Sequence, residues 1–322
     1  MWQLERAAHG PFPVTEHDIA GLNRLFADAF TDRYRRDGLV GVRVPFLNAA
    51  IWRYAIADAG EGAMLWRDEA DRVVAFNIAH RSGREGWMGP LAVRPDRQLA
   101  GLGKEIVVAA AEWLQAQGVS TLGLETMPRT VDNIGFYSRL GFVPGHLTLT
   151  MTREVQRARG GQPPYTLLGA LEPGERATRL SEIATLVSAL APGYDFSREI
   201  QLTLDLLLGN VVMVRRDGRL SAFALCHSAP LAESGTREEL RVLKLGATGT
   251  ETLMEALEAV AAWAASQGVR RVAVRCQTAY REAYQALVEA EFRVRWSDLR
   301  MTMTGYPEAV PAGGILWSNW EI

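Results

Sequence analysis

Cysteine is almost missing from this chain: 322 residues carry two, Cys226 and Cys276, each inside an apolar run. That excludes a disulfide scaffold and a cysteine-rich metal site, so no metal is expected and a reducing, cytoplasmic setting fits. Lysine is equally scarce, at Lys104 and Lys244 only, and arginine supplies every other basic side chain. Neither sign of charge is in excess, with 35 Lys and Arg against 37 Asp and Glu and a formal net charge of −2. Such a balance gives no field able to hold nucleic acid or an anionic membrane, which leaves a small-molecule or protein partner. Long apolar runs are missing too. Ile106 to Leu114 and Leu202 to Val214 are short or broken by Glu112 and Asp205, whereas a membrane span needs about 20 apolar residues. Met1 to Arg6 lacks the basic-then-apolar pattern of a secretory signal. What the chain does have is 48% hydrophobic and 22% charged residues, the mix of a globular protein rather than a disordered, collagenous or coiled-coil one. Its length is about twice the usual domain of roughly 150 residues, so two cores are expected.

The chain also repeats itself. Ala111-Glu-Trp-Leu-Gln-Ala-Gln-Gly-Val119 returns as Ala261-Ala-Trp-Ala-Ala-Ser-Gln-Gly-Val269, and the same offset of 150 pairs Phe142 with Phe292, Leu149 with Leu299 and Met151-Thr152 with Met301-Thr302. Residues 89–152 set against 239–302 without a gap share eleven identities, where chance at globular composition gives on the order of four. Upstream, Ala75-Phe76 and His80 match Ala222-Phe223 and His227 at an offset of 147. Two copies of one fold are therefore expected, over residues 1–155 and 165–322. The join at 156–164, with Arg157, Arg159, Gly160-Gly161 and Pro163-Pro164, is rich in charged and turn-forming residues and reads as a linker. The tail beyond Pro311 carries Trp317 and Trp320, which are expected to dock on a domain surface.

Periodicity gives the first copy a strand at Leu4 to Ala7, helices from Thr15 or Glu16 to Phe30 and from Phe46 to Ala57, and a hairpin of Met64 to Arg67 with Val73 to His80 around polar Asp68 to Asp71. Trp87 to Val93 is a strand broken at Arg94-Pro95, because the ring removes a donor and holds its predecessor extended. A helix follows from Gly103 to Gln117, ended by Gly118. Thr121 to Glu125 is a strand, Asn133 to Leu140 a helix capped by Asp132 or Asn133, and His146 to Thr152 the last strand. A meander followed by strand, helix, strand, helix, strand makes an α/β unit with a mixed, mostly antiparallel sheet flanked by helices.

The segment Leu91-Ala-Val-Arg-Pro-Asp-Arg-Gln-Leu-Ala-Gly-Leu-Gly-Lys104 joins a strand to the long helix. Glycines here let the backbone turn tightly, so that N–H groups at the helix start converge on one anion and the helix dipole favours a diphosphate. A P-loop fails, since Gln98 and Glu105 stand where glycine and serine or threonine belong, and a dinucleotide fingerprint fails at Ile106. What remains is Gln-x-x-Gly-x-Gly at Gln98 to Gly103, followed by Asn133-Ile-Gly-Phe-Tyr-Ser-Arg-Leu-Gly-Phe142. Together these segments resemble the GNAT superfamily of acyl-CoA-dependent N-acetyltransferases, whose Arg/Gln-x-x-Gly-x-Gly/Ala loop holds the coenzyme A pyrophosphate and whose later segment reads Tyr-x-x-x-Gly-Phe.

The resemblance implies tandem GNAT folds, acetyl-CoA as co-substrate and a primary amine of a small molecule or peptide as acceptor. It places the cofactor on Leu91, Ala92, Val93, Gln98, Leu99, Ala100, Gly101, Leu102, Gly103 and Lys104, with Asn133 beside it, and makes Tyr137 the acid that protonates the departing thiolate. Direct transfer also needs the amine deprotonated. The strand before the loop, Trp87 to Val93, carries no acid, so Glu125 at the end of the next strand is the candidate base, acting through water, with His80 and Glu85 behind it. Arg33, Arg35 and Arg36 either meet an acidic substrate or form a solvated face. At the offset of 150, Gln98, Gly101, Gly103 and Tyr137 become Thr248, Glu251, Leu253 and Leu287. The second copy is thus expected to be degenerate and to bind acetyl-CoA weakly or not at all. The alternative to an enzyme is a non-catalytic acyl-CoA-binding or sensor protein. The sequence leaves the acceptor and the oligomeric state open.

Overall fold

The computed structural model describes residues 8–155 and 164–320. The expected strand at Leu4 to Ala7 and the linker up to Pro163 lie outside them. The first half runs β1 (Ala8–Pro13), α1 (Ile19–Arg36), α2 (Ala49–Ala59), β2 (Ala63–Asp68), β3 (Val73–Ser82), β4 (Glu85–Val93), α3 (Leu102–Ala116), β5 (Thr121–Thr126), α4 (Val131–Arg139) and β6 (Phe142–Glu154). The second half repeats that order as β7 (Thr166–Leu167), α5 (Pro173–Leu190), α6 (Ser197–Asp205), β8 (Gly209–Arg216), β9 (Arg219–His227), β10 (Glu239–Ala247), α7 (Thr250–Ser266), β11 (Arg271–Gln277), α8 (Arg281–Glu289) and β12 (Arg293–Met303), then adds β13 (Ile315–Ser318). The other elements expected from periodicity are present with ends displaced by a few residues. The helix after β5 is an exception in its cap, which is Thr130 rather than Asp132 or Asn133.

The described strands form a single sheet in the order β1-β2-β3-β4-β5-β12-β6-β11-β10-β9-β8-β7, with β13 beside β10. Neighbours are antiparallel except β4 with β5 and β10 with β11. The halves exchange their last strands: β12 of the second half lies between β5 and β6, and β6 of the first lies between β12 and β11. Thr148 pairs directly with Asp298, the residue 150 positions on. A pseudo-two-fold axis therefore passes through that pair, as the matching contacts Glu125 with Arg300 and Arg275 with Thr150 confirm.

Helix α3 buries Leu102, Ile106, Ala110 and Leu114 against the sheet, a stripe at helical spacing. Helices α1 and α2 cover the other face through Leu22, Leu25, Ala29, Trp52 and Ala55. The tail is part of the sheet rather than docked on a surface, because Trp317 is fully buried in β13. Trp320 stacks on His80 (6.1 Å) and Trp87 (5.4 Å), with the Lys244 ammonium 4.1 Å from its ring.

Candidate active site

Strands β4 and β5 pair only from Glu85–Thr121 to Met88–Leu124. Beyond that point β4 carries an irregularity against β3 between Met88 and Leu91. Pro90 has no N–H to offer, and Gly89 adopts a φ of 137° that a side chain would resist. The two parallel strands diverge there, and the wedge between them opens a cavity of about 290 Å³. Its walls are Leu91, Ala92 and Val93 from β4, Gln98 from the loop, Glu125 and Thr126 from β5, Asn133, Phe136 and Tyr137 from α4, and Phe30 and Arg33 from α1. Asp298 on β12 completes it from the second half.

Residues 94–100 form the loop into α3. Gln98 Nε2 donates to the Val93 carbonyl (3.1 Å) and Arg36 Nη1 donates to Gln98 Oε1 (3.2 Å), which ties the loop to its strand and to α1. Leu99 has a positive φ of 64° and is fully exposed, and Gly101 caps the helix at a φ of 89° with open space where a Cβ would sit. The first hydrogen bonds of α3 accepted by Gly101 come from Lys104 (3.0 Å) and Glu105 (3.2 Å). The N–H groups of Leu102 and Gly103 before them have no partner within the helix and lie at its electropositive end. Gly101, Gly103 and Lys104 lie at this helix start, outside the lining of the cavity, and the Leu102 side chain is in the core.

Tyr137 is buried between Phe136 (5.2 Å) and Phe142 (6.2 Å) and borders the cavity. Burial pushes its phenol well above the usual value, so it keeps its proton at neutral pH and has one to donate. Asn133 lines the same wall, its N–H bound to the Thr130 carbonyl (3.0 Å). Thr130 in turn donates to Asp37 (2.5 Å), which pairs with Arg33 and fixes the end of α1 against α4.

Glu125 is held on several sides. Thr148 donates to it at 2.6 Å, Arg300 pairs with it at 3.0 Å, and Arg275 forms a further ion pair. Burial alone would raise its pKa, yet the two guanidinium charges and the hydroxyl outweigh that and hold it below the ordinary range. Asp298 has the opposite balance. Burial and the Glu125 charge raise it to about 6, against the pull of Arg275 at 2.9 Å and a hydrogen bond from Trp296 Nε1 at 3.0 Å. His80 pairs with Asp58 (2.7 Å), and Glu85 accepts from Trp87 (2.8 Å) and Ser318 (2.5 Å); both are buried away from the cavity. Arg35 and Arg36 pair with Asp32 on α1. Sequence reading missed Arg275, Asp298 and Arg300. The signal was in the repeat, since Arg275 and Asp298 stand at the offset from Glu125 and Thr148, but nothing in the sequence foretold the exchange of strands.

In the second half the corresponding wedge is built differently. The register of β9 against β10 makes Ala247 the counterpart of Val93, since Ala222 pairs with it as Ala75 pairs with Val93. Only Thr248 then separates Ala247 from the α7 cap Gly249. The gap-free offset fails at this point: the loop residues are missing, not replaced. Strand β13 lies along Lys244 to Ala247, filling the wedge between β10 and β11 where β4 and β5 stay open. Asn319 pins it to β11 through Gln277 (2.9 Å) and the Arg275 carbonyl (3.1 Å).

Residues 22–142 match the acetyltransferase (GNAT) family. The chain is 35% identical over 74 residues to the [ribosomal protein bS18]-alanine N-acetyltransferase of Haemophilus ducreyi, a stretch covering 23% of this chain and 51% of that enzyme. The chain thus spans about half the length of that curated relative. A Pyrococcus horikoshii protein assigned as an acetyltransferase shares the fold at a TM-score of 0.68 and 14% identity, over 99% of this chain and 96% of that one. A tandem GNAT protein from the clavulanic acid biosynthesis pathway superposes at a TM-score of 0.58 and 14% identity, over 94% of this chain and all of that one.

Proposed function

We propose that this protein, whose residues 22–142 match the acetyltransferase (GNAT) family and whose fold is shared with a tandem GNAT protein, moves acetyl from acetyl-CoA to a primary amine by direct transfer in a ternary complex. The observation that carries the reading is the wedge between β4 and β5, bordered by Leu91 to Val93 and by Tyr137, with the unpaired N–H groups of α3 beyond it. The residues present suit the donor. Strand edge amides at Leu91 to Val93 can accept the pantetheine arm and polarise the thioester carbonyl, and the glycine-rich helix start suits a diphosphate. The proton of Tyr137, retained through burial, is available to the thiolate as the C–S bond breaks.

The acceptor enters from the side of Phe30, Arg33, Glu125 and Asp298. The Haemophilus ducreyi relative acts on an alanine of a ribosomal protein, which puts a peptide amine beside small-molecule amines as a candidate. The second half takes no acyl-CoA on this reading, since its loop is missing and its wedge is filled. Calorimetric titration with acetyl-CoA, CoA and NADH tests the reading: one acetyl-CoA site per chain, lost in Gly101→Glu, is expected. No binding would overturn it, and binding without CoA release on any amine would leave an acyl-CoA sensor.

A further inference from the structure

Asp298 is a carboxylate of the second half that lines the acceptor end of the first half's cavity. It is there because the strand exchange inserts β12 beside β5, next to Glu125. We propose that Asp298 takes the proton from the acceptor ammonium. The inference rests on the acetyl-transfer reading above and assigns its base to the half whose own wedge is filled by β13.

The two carboxylates at this end are not equivalent. Glu125 faces Thr148 of β6, Arg275 of β11 and Arg300 of β12, so its oxygens are occupied and its charge is doubly compensated. Asp298 meets Arg275 of β11 and the indole of Trp296, while Glu125 of β5 repels its charge; Tyr34 of α1, with Arg129 near by, completes its surroundings. Its side chain keeps 17% of its surface open and that of Glu125 18%, so both are within reach of the cavity and their partners, not their exposure, set them apart. A carboxyl near 6 is ionised at neutral pH yet basic enough to accept a proton, which Glu125 is not. The proton balance closes with these groups. The ammonium gives one proton to Asp298, and the free amine attacks the thioester carbonyl. As the C–S bond breaks, Tyr137 protonates the sulfur, and the second proton lost by nitrogen restores Tyr137. Asp298 then returns its proton to solvent.

The test follows CoA release from acetyl-CoA at pH 5.5–9.5 with four amines: an alanine-initiated hexapeptide, lysine, spermidine and kanamycin. Wild type, Asp298→Asn and Asp298→Glu are compared, with the acetyl-CoA Kd measured in parallel. For the amine that turns over, Asp298→Asn is expected to lower kcat/KM by about 100-fold at pH 7 with the acetyl-CoA Kd within about twofold. The acid limb near pH 6 should vanish, the deficit should shrink above pH 9 where free amine is abundant, and Asp298→Glu should recover part of the rate. An undiminished rate in Asp298→Asn, or a deficit equal at every pH, would overturn the inference and leave the acetyl-transfer reading standing. Failure of the wild type to bind acetyl-CoA, or to turn over any of the four amines, would remove both.

Discussion

Residues 125 and 275 are one position of an ancestral repeat, now occupied by glutamate and arginine that pair across the pseudo-two-fold axis. Such divergence gives opposite pH signatures to the two carboxylates it touches. Glu125 has a folded pKa below its ordinary value, so its stabilising contribution is present above about pH 4.5 and is lost as pH falls through the folded value. Glu125→Gln also takes one of two carboxylates from buried Arg300, which keeps Glu308 at 3.0 Å, and should cost about 3 kcal/mol at pH 7, with less cost at pH 3.5, read from urea midpoints. Asp298 has a folded value of about 6, above its ordinary 3.8. Its contribution is fully present below pH 3.8 and is lost as pH rises through 6, so at neutral pH its ionisation disfavours the fold. The stability of Asp298→Asn relative to wild type should therefore rise between pH 4 and pH 8, by on the order of 2 kcal/mol; a flat difference would contradict the burial of this carboxyl. Tyr137→Phe belongs to the same scale. It removes only the hydroxyl from a ring that Phe136 and Phe142 keep packed, so turnover should fall at least tenfold with acetyl-CoA affinity little changed. Equal turnover would exclude the acid role.

Among the elements, the loop into α3 and its missing counterpart before α7 separate the halves more sharply than any substitution does. Gly101 holds a left-handed conformation with open space around it. Gly101→Ala should therefore weaken acetyl-CoA binding only through backbone strain, about 1–2 kcal/mol or roughly tenfold, whereas Gly101→Glu should abolish it by charge. Calorimetry on the pair distinguishes a phosphate cradle from a simple turn, for which both would bind alike. Strand β13 replaces in the second half what a ligand would supply in the first, and Trp317→Ala should cost about 3–5 kcal/mol in chemical denaturation. Much of this scale was legible in the sequence: apolar periodicity gave α3, Asp68 to Asp71 gave the hairpin turn, and Gln98 to Gly103 gave the loop. The second half's loop was misread because a gap-free alignment keeps register where identities are dense, in the helix after the loop, and says nothing of residues deleted before it. The role of the tail was hidden for another reason. Ile315 to Ser318 is too short for periodicity to mark, and its place beside β10 is set by a contact distant in sequence.

At the scale of the whole molecule, neither half can complete its sheet alone. Residues 1–155 without β12 would expose the inner edges of β5 and β6, and residues 165–322 without β6 would expose those of β11 and β12; bare edges of this kind recruit another strand. A homodimer of the first half would repair the edge with its own β6, but symmetry would then set Glu125 against Glu125, with Thr150 in the place of Arg300 and Thr148 in the place of Asp298. Two buried like charges without a guanidinium between them are repelled strongly, and the corresponding homodimer of the second half would oppose Arg275 to Arg275. The mixed pair alone restores the ion pairs of Glu125 with Arg275 and Arg300. Charge divergence at one repeated position thus works against the symmetric assemblies as well as for the native one. Produced separately and mixed, the two halves are expected to form a 1:1 complex by light scattering and to bind one acetyl-CoA per pair, whereas neither half alone gives a stable dimer at pH 7. Glu125→Gln in the first half should relieve the repulsion and let it self-associate. A stable homodimer of the unmodified first half would show that strand completion outweighs the charges.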